Sequence, residues 1–281
     1  MLRYGGMAVC ANEGGPRRPS ALPGGRREAA AGFQGTKAVK PWSSMIQDNV
    51  RAIRDRISSA CFRMGKDPGS VTVIAVGKER SVEDVREAVE AGICDIGENR
   101  VQEAVLKKKR FLSLRAANYE PRTVRWHLVG HLQTNKVKQA VSIFDLIHSI
   151  DSVKLAAAID KEAAKAGKIQ DILIQVNTSF EETKSGIRPD EIIPVFLEVA
   201  RLRNVRFKGL MTIAPFTDNP EKVRLYFRKL KQLLDEVNAV PAGRQAGPDA
   251  PRILAMGMSD DFEVAVEEGA TMVRIGRGIF G

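Results

Sequence analysis

Residues 71–97 read VTVIAVGKERSVEDVREAVEAGICDIG. A short β-branched run, 71–77, is followed by a lysine, a helical pattern and a second short run, 94–97. Both runs are strand-length and rich in residues that suit a pleated surface. Between them, Ser81 with Asp84 three residues on has the spacing of a capping box, in which each side chain accepts from the other residue's amide. Strand, helix, strand in so few residues implies two parallel strands joined by a crossover.

The alternation continues outward. Further strand candidates are 125–130 (RWHLVG), 146–150 (LIHSI), 172–177 (ILIQVN), 206–213 (RFKGLMTI), 253–258 (ILAMGM) and 271–275 (TMVRI). Asn219-Pro220 opens a helix whose inner face is Val223, Phe227, Leu230, Leu234 and Val237, and Gly269 suits a helix end. Upstream, Ile46, Val50, Ile53, Ile57 and Cys61 share one helical face, so 46–63 reads as an amphipathic helix. Eight strands with interleaved helices predict an α/β fold, a single (β/α)8 barrel over residues 45–281. A doubly wound open sheet is the alternative, but no G-x-G-x-x-G follows the first strand. Residues 241–251 (PAGRQAGPDAP) have no periodicity and read as a surface insertion.

The chain has 281 residues, 43% of them hydrophobic, enough to bury a large core. Its cysteines, Cys10, Cys61 and Cys94, show neither paired spacing nor neighbouring histidines, so no disulfide framework or metal site is expected. The expected setting is reducing and cytoplasmic. No run approaches the roughly 18 apolar residues of a spanning helix, and no secretory signal is expected. Residues 1–44 hold seven basic and two acidic residues, and so half of the net charge of +10. They also hold eight of 24 glycines and four of 13 prolines, a composition expected to remain disordered. The rest is mildly basic without aromatic interleaving, so no nucleic-acid partner is expected.

A barrel places its chemistry at the carboxyl ends of its strands. Lys78 ends the first. Burying an ammonium is unfavourable, so a lysine held there is driven towards the neutral amine that forms Schiff bases. Position alone leaves it equally readable as a solvated loop lysine. The loops after strands seven and eight, where barrels commonly bind phosphate, read Gly257-Met258-Ser259 and Arg274-Ile275-Gly276-Arg277-Gly278. A serine hydroxyl and closely approachable glycine amides suit a phosphate, although Ser259 and Asp260 also read as a helix cap and the glycines as turns. Arg274 alternates with Val273 and Ile275 and so points into the mouth. His127 and His148, within strands, read as core or network histidines; Glu98 and Asn99 are better placed for chemistry, although a carboxylate there also reads as organising neighbouring loops.

The segments AVGK (75–78), IGENRVQE (96–103), WHLVGHLQTNK (126–136), HSID (148–151), KSG (184–186), GLM (209–211), GMSDDFEVAVEEGATMVRIG (257–276) and the final IFG together resemble the pyridoxal phosphate homeostasis protein family across residues 46–281. The resemblance implies an alanine-racemase-like barrel of PLP fold type III, with an extra N-terminal helix and bound pyridoxal 5'-phosphate (PLP). By matching position, Lys78 is the aldimine lysine and Ser259, Gly276 and the Arg277 amide hold phosphate. Arg274 faces the ring nitrogen, and Asn99 and Met211 line the ring. Lys184 matches a second lysine near the mouth, equally readable as a solvated lysine. The implied role is a carrier and regulator of PLP inside the cell, serving PLP-dependent apoenzymes without turnover. A monomer is expected because no extended apolar seam stands apart from the barrel pattern.

A racemase-like enzyme is the alternative. Two-base racemisation needs a second proton-transfer group, and Tyr4, Tyr119 and Tyr226 are all away from strand ends. A Schiff-base aldolase acting on a sugar phosphate is a third reading, which expects further acid-base groups at strand ends. Three departures from the family pattern stand out. Gly77 replaces a serine or threonine, which removes a hydroxyl near the cofactor, and Ala255 replaces a frequent serine. The chain stops at Gly281, so the 46–63 helix is expected to cover the face of a shortened last helix.

Overall fold

The computed structural model describes residues 42–114, 123–181, 185–240 and 250–281. Residues 1–41 of the expected extension, 241–249 of the insertion, and Tyr4, Tyr119 and Lys184 lie outside the described residues.

Helix α1 (Trp42–Arg63) precedes eight strand–helix units. These are β1 (Thr72–Val76) and α2 (Val82–Glu90), β2 (Asp95–Glu98) and α3 (Val101–Leu114), β3 (Arg125–Leu128) and α4 (Val137–Ile143), and β4 (Leu146–Ile150) and α5 (Val153–Lys165). Then follow β5 (Gln170–Gln175) and α6 (Ile192–Ala200), β6 (Val205–Met211) and α7 (Arg224–Ala239), β7 (Ile253–Ala255) and α8 (Phe262–Glu267), and β8 (Met272–Ile275) and α9 (Arg277–Phe280). The strands pair in parallel in sequence order, and β8 closes on β1, with Ile74 opposite both Asp95 and Arg274. The predicted closed barrel is observed, and its closure excludes the open sheet.

The expected punctuation holds the connections. Ser81 and Asp84 form the reciprocal capping box of α2. The five residues predicted for the inner face of α1 are all buried, as is the predicted face of α7, joined there by Leu233. The 217–223 region differs in detail: Asn219-Pro220 opens a 3-10 turn, Pro220–Val223, that leads into α7. Several strands end earlier than predicted because the chain turns at the mouth. At Gly257 φ is +91°, and a Cβ there would lie 2.6 Å from Ala265 Cβ, so only glycine allows the turn out of β7 against α8.

Outward side chains of the strands join the helices in one large buried apolar cluster, from Ile46 through Trp126 to Phe280. Inside the barrel, Ile74, Leu146, Leu173, Met211, Ala255 and Met272 form a second, smaller cluster. The remaining interior is polar: Asp95, His127, His148 and Arg274 are all buried. Among the described residues no helix is long and apolar enough to cross a membrane.

Candidate functional site

The carboxyl ends of β1, β2, β3, β6, β7 and β8 surround a cavity of 660 Å³. Its lining includes Lys78, Asn99, Ser259, Arg274, Gly276 and Arg277, and this volume falls within the range of small-molecule sites.

Lys78 is 48% exposed, with Nζ 3.6 Å from Glu79 Oε1. It stands at the open mouth, half-exposed, which agrees with the solvated of the two readings that its position left open. Glu79 has φ +60°, a left-handed conformation that glutamate rarely adopts and that turns the chain sharply after the lysine. Beneath the lysine, Lys107 Nζ donates to the Gly77 carbonyl and to Glu98 Oε1, both at 2.6 Å. Burial pushes the Glu98 carboxyl upward despite this cation. A Cβ on Gly77 would lie 2.9 Å from Glu98 Oε1 and 3.1 Å from Val85 Cγ2. A side chain at 77 therefore points at the buried ion pair, away from the cavity. The glycine makes room for that pair, which corrects the expectation of a hydroxyl lost beside the cofactor.

Ser259 Oγ accepts from the Gly278 amide at 3.1 Å and ties the loop after β7 to α9. It does not cap α8; there Asp261 Oδ1 accepts from the Met258 amide at 2.6 Å. Gly276 is the residue before α9. The Arg277 guanidinium donates to Asp260 Oδ2 at 2.6 Å, and both residues line the cavity.

Arg274 is 5% exposed. It donates to the carbonyls of Ala255 at 2.6 Å and Thr212 at 2.8 Å, which fix it in the floor of the cavity. Burial lowers its pKa to about 10, with Asp261 opposing the shift, so the guanidinium stays charged at neutral pH. Thr212 is anchored in turn by its hydroxyl, which donates to the Val176 carbonyl at 2.8 Å.

Met211 does not reach the cavity. It is fully buried in the inner apolar cluster, below the lining. Ile213, two residues on, lines the cavity, together with Val129, Phe216 and Met258. The sequence reading named none of these four for the cavity, although Ile213 and Met258 end the predicted strands 206–213 and 253–258 and Val129 falls within 125–130; only Phe216 lies on a loop beyond a predicted strand. Their apolar character was the available signal, since a loop residue such as Phe216, 84% exposed, has no core to fill. His127 and His148 are network residues of the barrel interior, as expected.

A closed (β/α)8 barrel with a lysine after β1 and a serine–glycine cradle after β7 and β8 defines the alanine-racemase class of barrels, and the alanine racemase N-terminal domain family matches residues 44–281. A pyridoxal phosphate homeostasis protein of Aquifex aeolicus is 43% identical over 83% of this chain and 96% of its own length. PipY of Synechococcus elongatus, solved with PLP bound, is 33% identical with a TM-score of 0.70, over 84% of this chain and all of that one. An unknown protein from Bifidobacterium adolescentis is 33% identical with a TM-score of 0.78, over 88% of this chain and 98% of that one. The chain belongs to the pyridoxal phosphate homeostasis protein family.

Proposed function

We propose that this chain binds PLP through Lys78 and serves PLP homeostasis as a carrier and regulator without turnover. The observation that carries the reading is one cavity that unites Lys78 from the end of β1 with Ser259, Gly276 and Arg274 from the ends of β7 and β8. The names of the relatives and the PLP bound to PipY support it. When bound, PLP supplies an aldehyde that condenses with an amine and a ring that withdraws electrons.

The residues of this chain fit that group. Lys78 Nζ, at the mouth, is the amine. The Ser259 hydroxyl, whose oxygen already accepts from Gly278, keeps its proton for a phosphate oxygen, beside the Gly276 and Arg277 amides. Arg274 donates only, so against the ring nitrogen it keeps that nitrogen unprotonated and the ring a weaker electron sink. Asn99 lines the ring from the loop after β2, and Ile213 takes the place expected of Met211.

No tyrosine, histidine or cysteine is among the described residues lining the cavity. The ionisable residues that line it besides Lys78 are Glu79, Arg80, Asp260, Arg274 and Arg277, and the relatives are named homeostasis proteins, which supports holding and release over two-base racemisation. A monomer in the cytoplasm, delivering PLP to apoenzymes, completes the proposal. The test is the absorption spectrum after reconstitution with PLP. Wild type is expected to show a visible band that is absent in Lys78→Ala; a band that survives the substitution, or never forms, overturns the reading. Incubation with D- or L-amino acids is expected to give no change of chirality.

A further inference from the structure

A file of polar groups runs through the barrel where apolar layers are usual. Arg125 Nη2 donates to Asp95 Oδ2 at 2.8 Å, His127 Nε2 lies 2.8 Å from Asp95 Oδ1, and His127 Nδ1 lies 3.0 Å from His148 Nε2. Asp95, His127 and His148 are all buried. Burial raises the Asp95 carboxyl, but the hydrogen bonds from His127 and Arg125 outweigh it and hold the group below the usual carboxylate range. An ionised Asp95 only accepts, so His127 carries its proton on Nε2. With His127 neutral, its Nδ1 accepts and His148 donates from Nε2. This leaves His148 Nδ1 as a lone pair, buried and without a partner among the described residues.

The barrel's layering shows what stands beside that imidazole. Leu146 of β4 and Met272 of β8 belong to the same inner cluster. Two residues further along each strand, on the same face, are His148 and Arg274. Alternate strands fill one layer of such a barrel, and β4 and β8 are both even. His148 and Arg274 therefore share the layer directly beneath the cavity. Consistently, burial, His127 and then Arg274 hold His148 well below its usual pKa of 6.5.

We infer that His148 is a positioning residue for Arg274: the chain from Asp95 through His127 fixes its tautomer, so that it offers the arginine's layer a lone pair and no proton. A proton on Nδ1 would oppose a neighbouring guanidinium whose other partners are two carbonyl oxygens. The fixed lone pair instead favours one orientation of the charge beneath the cavity. Three groups not adjacent in sequence thus set the field at the cavity floor. The inference rests on the reading of Arg274 as the group that faces the PLP ring.

The experiment has two arms. In the full chain labelled with ¹⁵N and free of PLP, imidazole correlation spectra are simple because there are only three histidines, His127, His131 and His148. His127 and His148 are both expected to be neutral with the proton on Nε2; a proton on His148 Nδ1 overturns the inference. In PLP titrations, His148→Leu is expected to raise the Kd about tenfold and to shift the visible band. His148→Asn, which keeps an acceptor near the Nδ1 position, is expected to restore most of both. Adding His148→Leu to Arg274→Leu is expected to change neither further, because coupled residues are not additive. A folded His148→Leu protein that binds PLP with the wild-type Kd and spectrum overturns the inference; if that variant does not fold, the tautomer and the His148→Asn spectrum decide. A wild-type protein without a Lys78-dependent band overturns the cofactor reading itself, a failure distinct from a wrong tautomer.

Discussion

Lys107 reaches from α3 to the carbonyl of the residue before Lys78 and there meets Glu98. Both groups are out of water, so the pair is sensitive to the loss of either partner. Lys107→Met is expected to cost about 3–5 kcal/mol by stranding the Glu98 carboxylate, whose pKa burial already pushes up. Adding Glu98→Gln is expected to recover much of that loss. Urea unfolding of the single and double variants measures both effects. The same residues explain Gly77: the sequence shows that a side chain is missing before the lysine, but only the fold shows that the space belongs to an ion pair.

At the scale of elements, α1 acts on the site from outside the barrel. Asn49 Nδ2 donates to the Ile279 carbonyl of α9 at 2.9 Å, and Ile53 Cδ1 lies 3.5 Å from where a Cβ on Gly278 would stand. Arg56 and Arg63 pair with Glu263 and Glu267 of α8 at 2.9 Å and 2.7 Å. The helix thus clamps α8 and α9, the two short helices that follow the Ser259 and Gly276 loops. Its exposed ion pairs contribute little, and its apolar face carries the attachment. Ile53→Ala is therefore expected to lower stability by about 2–5 kcal/mol. It is also expected to weaken PLP binding, because α9 loses its support. Denaturant midpoints and a PLP titration on the same protein check the two effects together; unchanged PLP affinity in the folded variant shows that α1 stabilises the barrel without supporting the cradle.

For the whole molecule, the polar interior makes stability depend on pH. The pKa of His148 lies below its usual 6.5 in the fold, so the unfolded chain takes up a proton here that the native barrel excludes. Stability from this group is complete above pH 6.5 and is lost as pH falls below it, at up to about 1.4 kcal/mol per pH unit. Asp95, depressed in the fold, adds a loss that begins near its usual value of 3.8. Glu98, raised in the fold, works in the opposite sense, favouring the native state as acid protonates it. Unfolding free energy measured downward from pH 6.5 is expected to fall, and to fall less steeply in His148→Asn. Equal slopes in the two proteins contradict this assignment.

The alternation of strand and helix was legible because each crossover carries its own local signals: the Ser81–Asp84 box, the Asn219-Pro220 start and the apolar face of α1 follow from nearest-neighbour chemistry. Lys78, Ser259, Gly276 and Arg274 were legible because a parallel barrel sends the ends of its strands to one mouth. The sequence by itself determined the fold class and brought Lys78, Ser259, Gly276 and Arg274 to one mouth. Only the tertiary structure decided that Met211 lies in the interior while Ile213 lines the cavity, since the course of the chain beyond β6 sets which side chains reach the rim. It alone decided that Gly77 faces Glu98 and Lys107, and that Asp95, His127 and His148 form one file. Those contacts join residues 9 to 32 positions apart, and burial makes their hydrogen bonds obligatory. No local pattern encodes which distant partner closes such a bond.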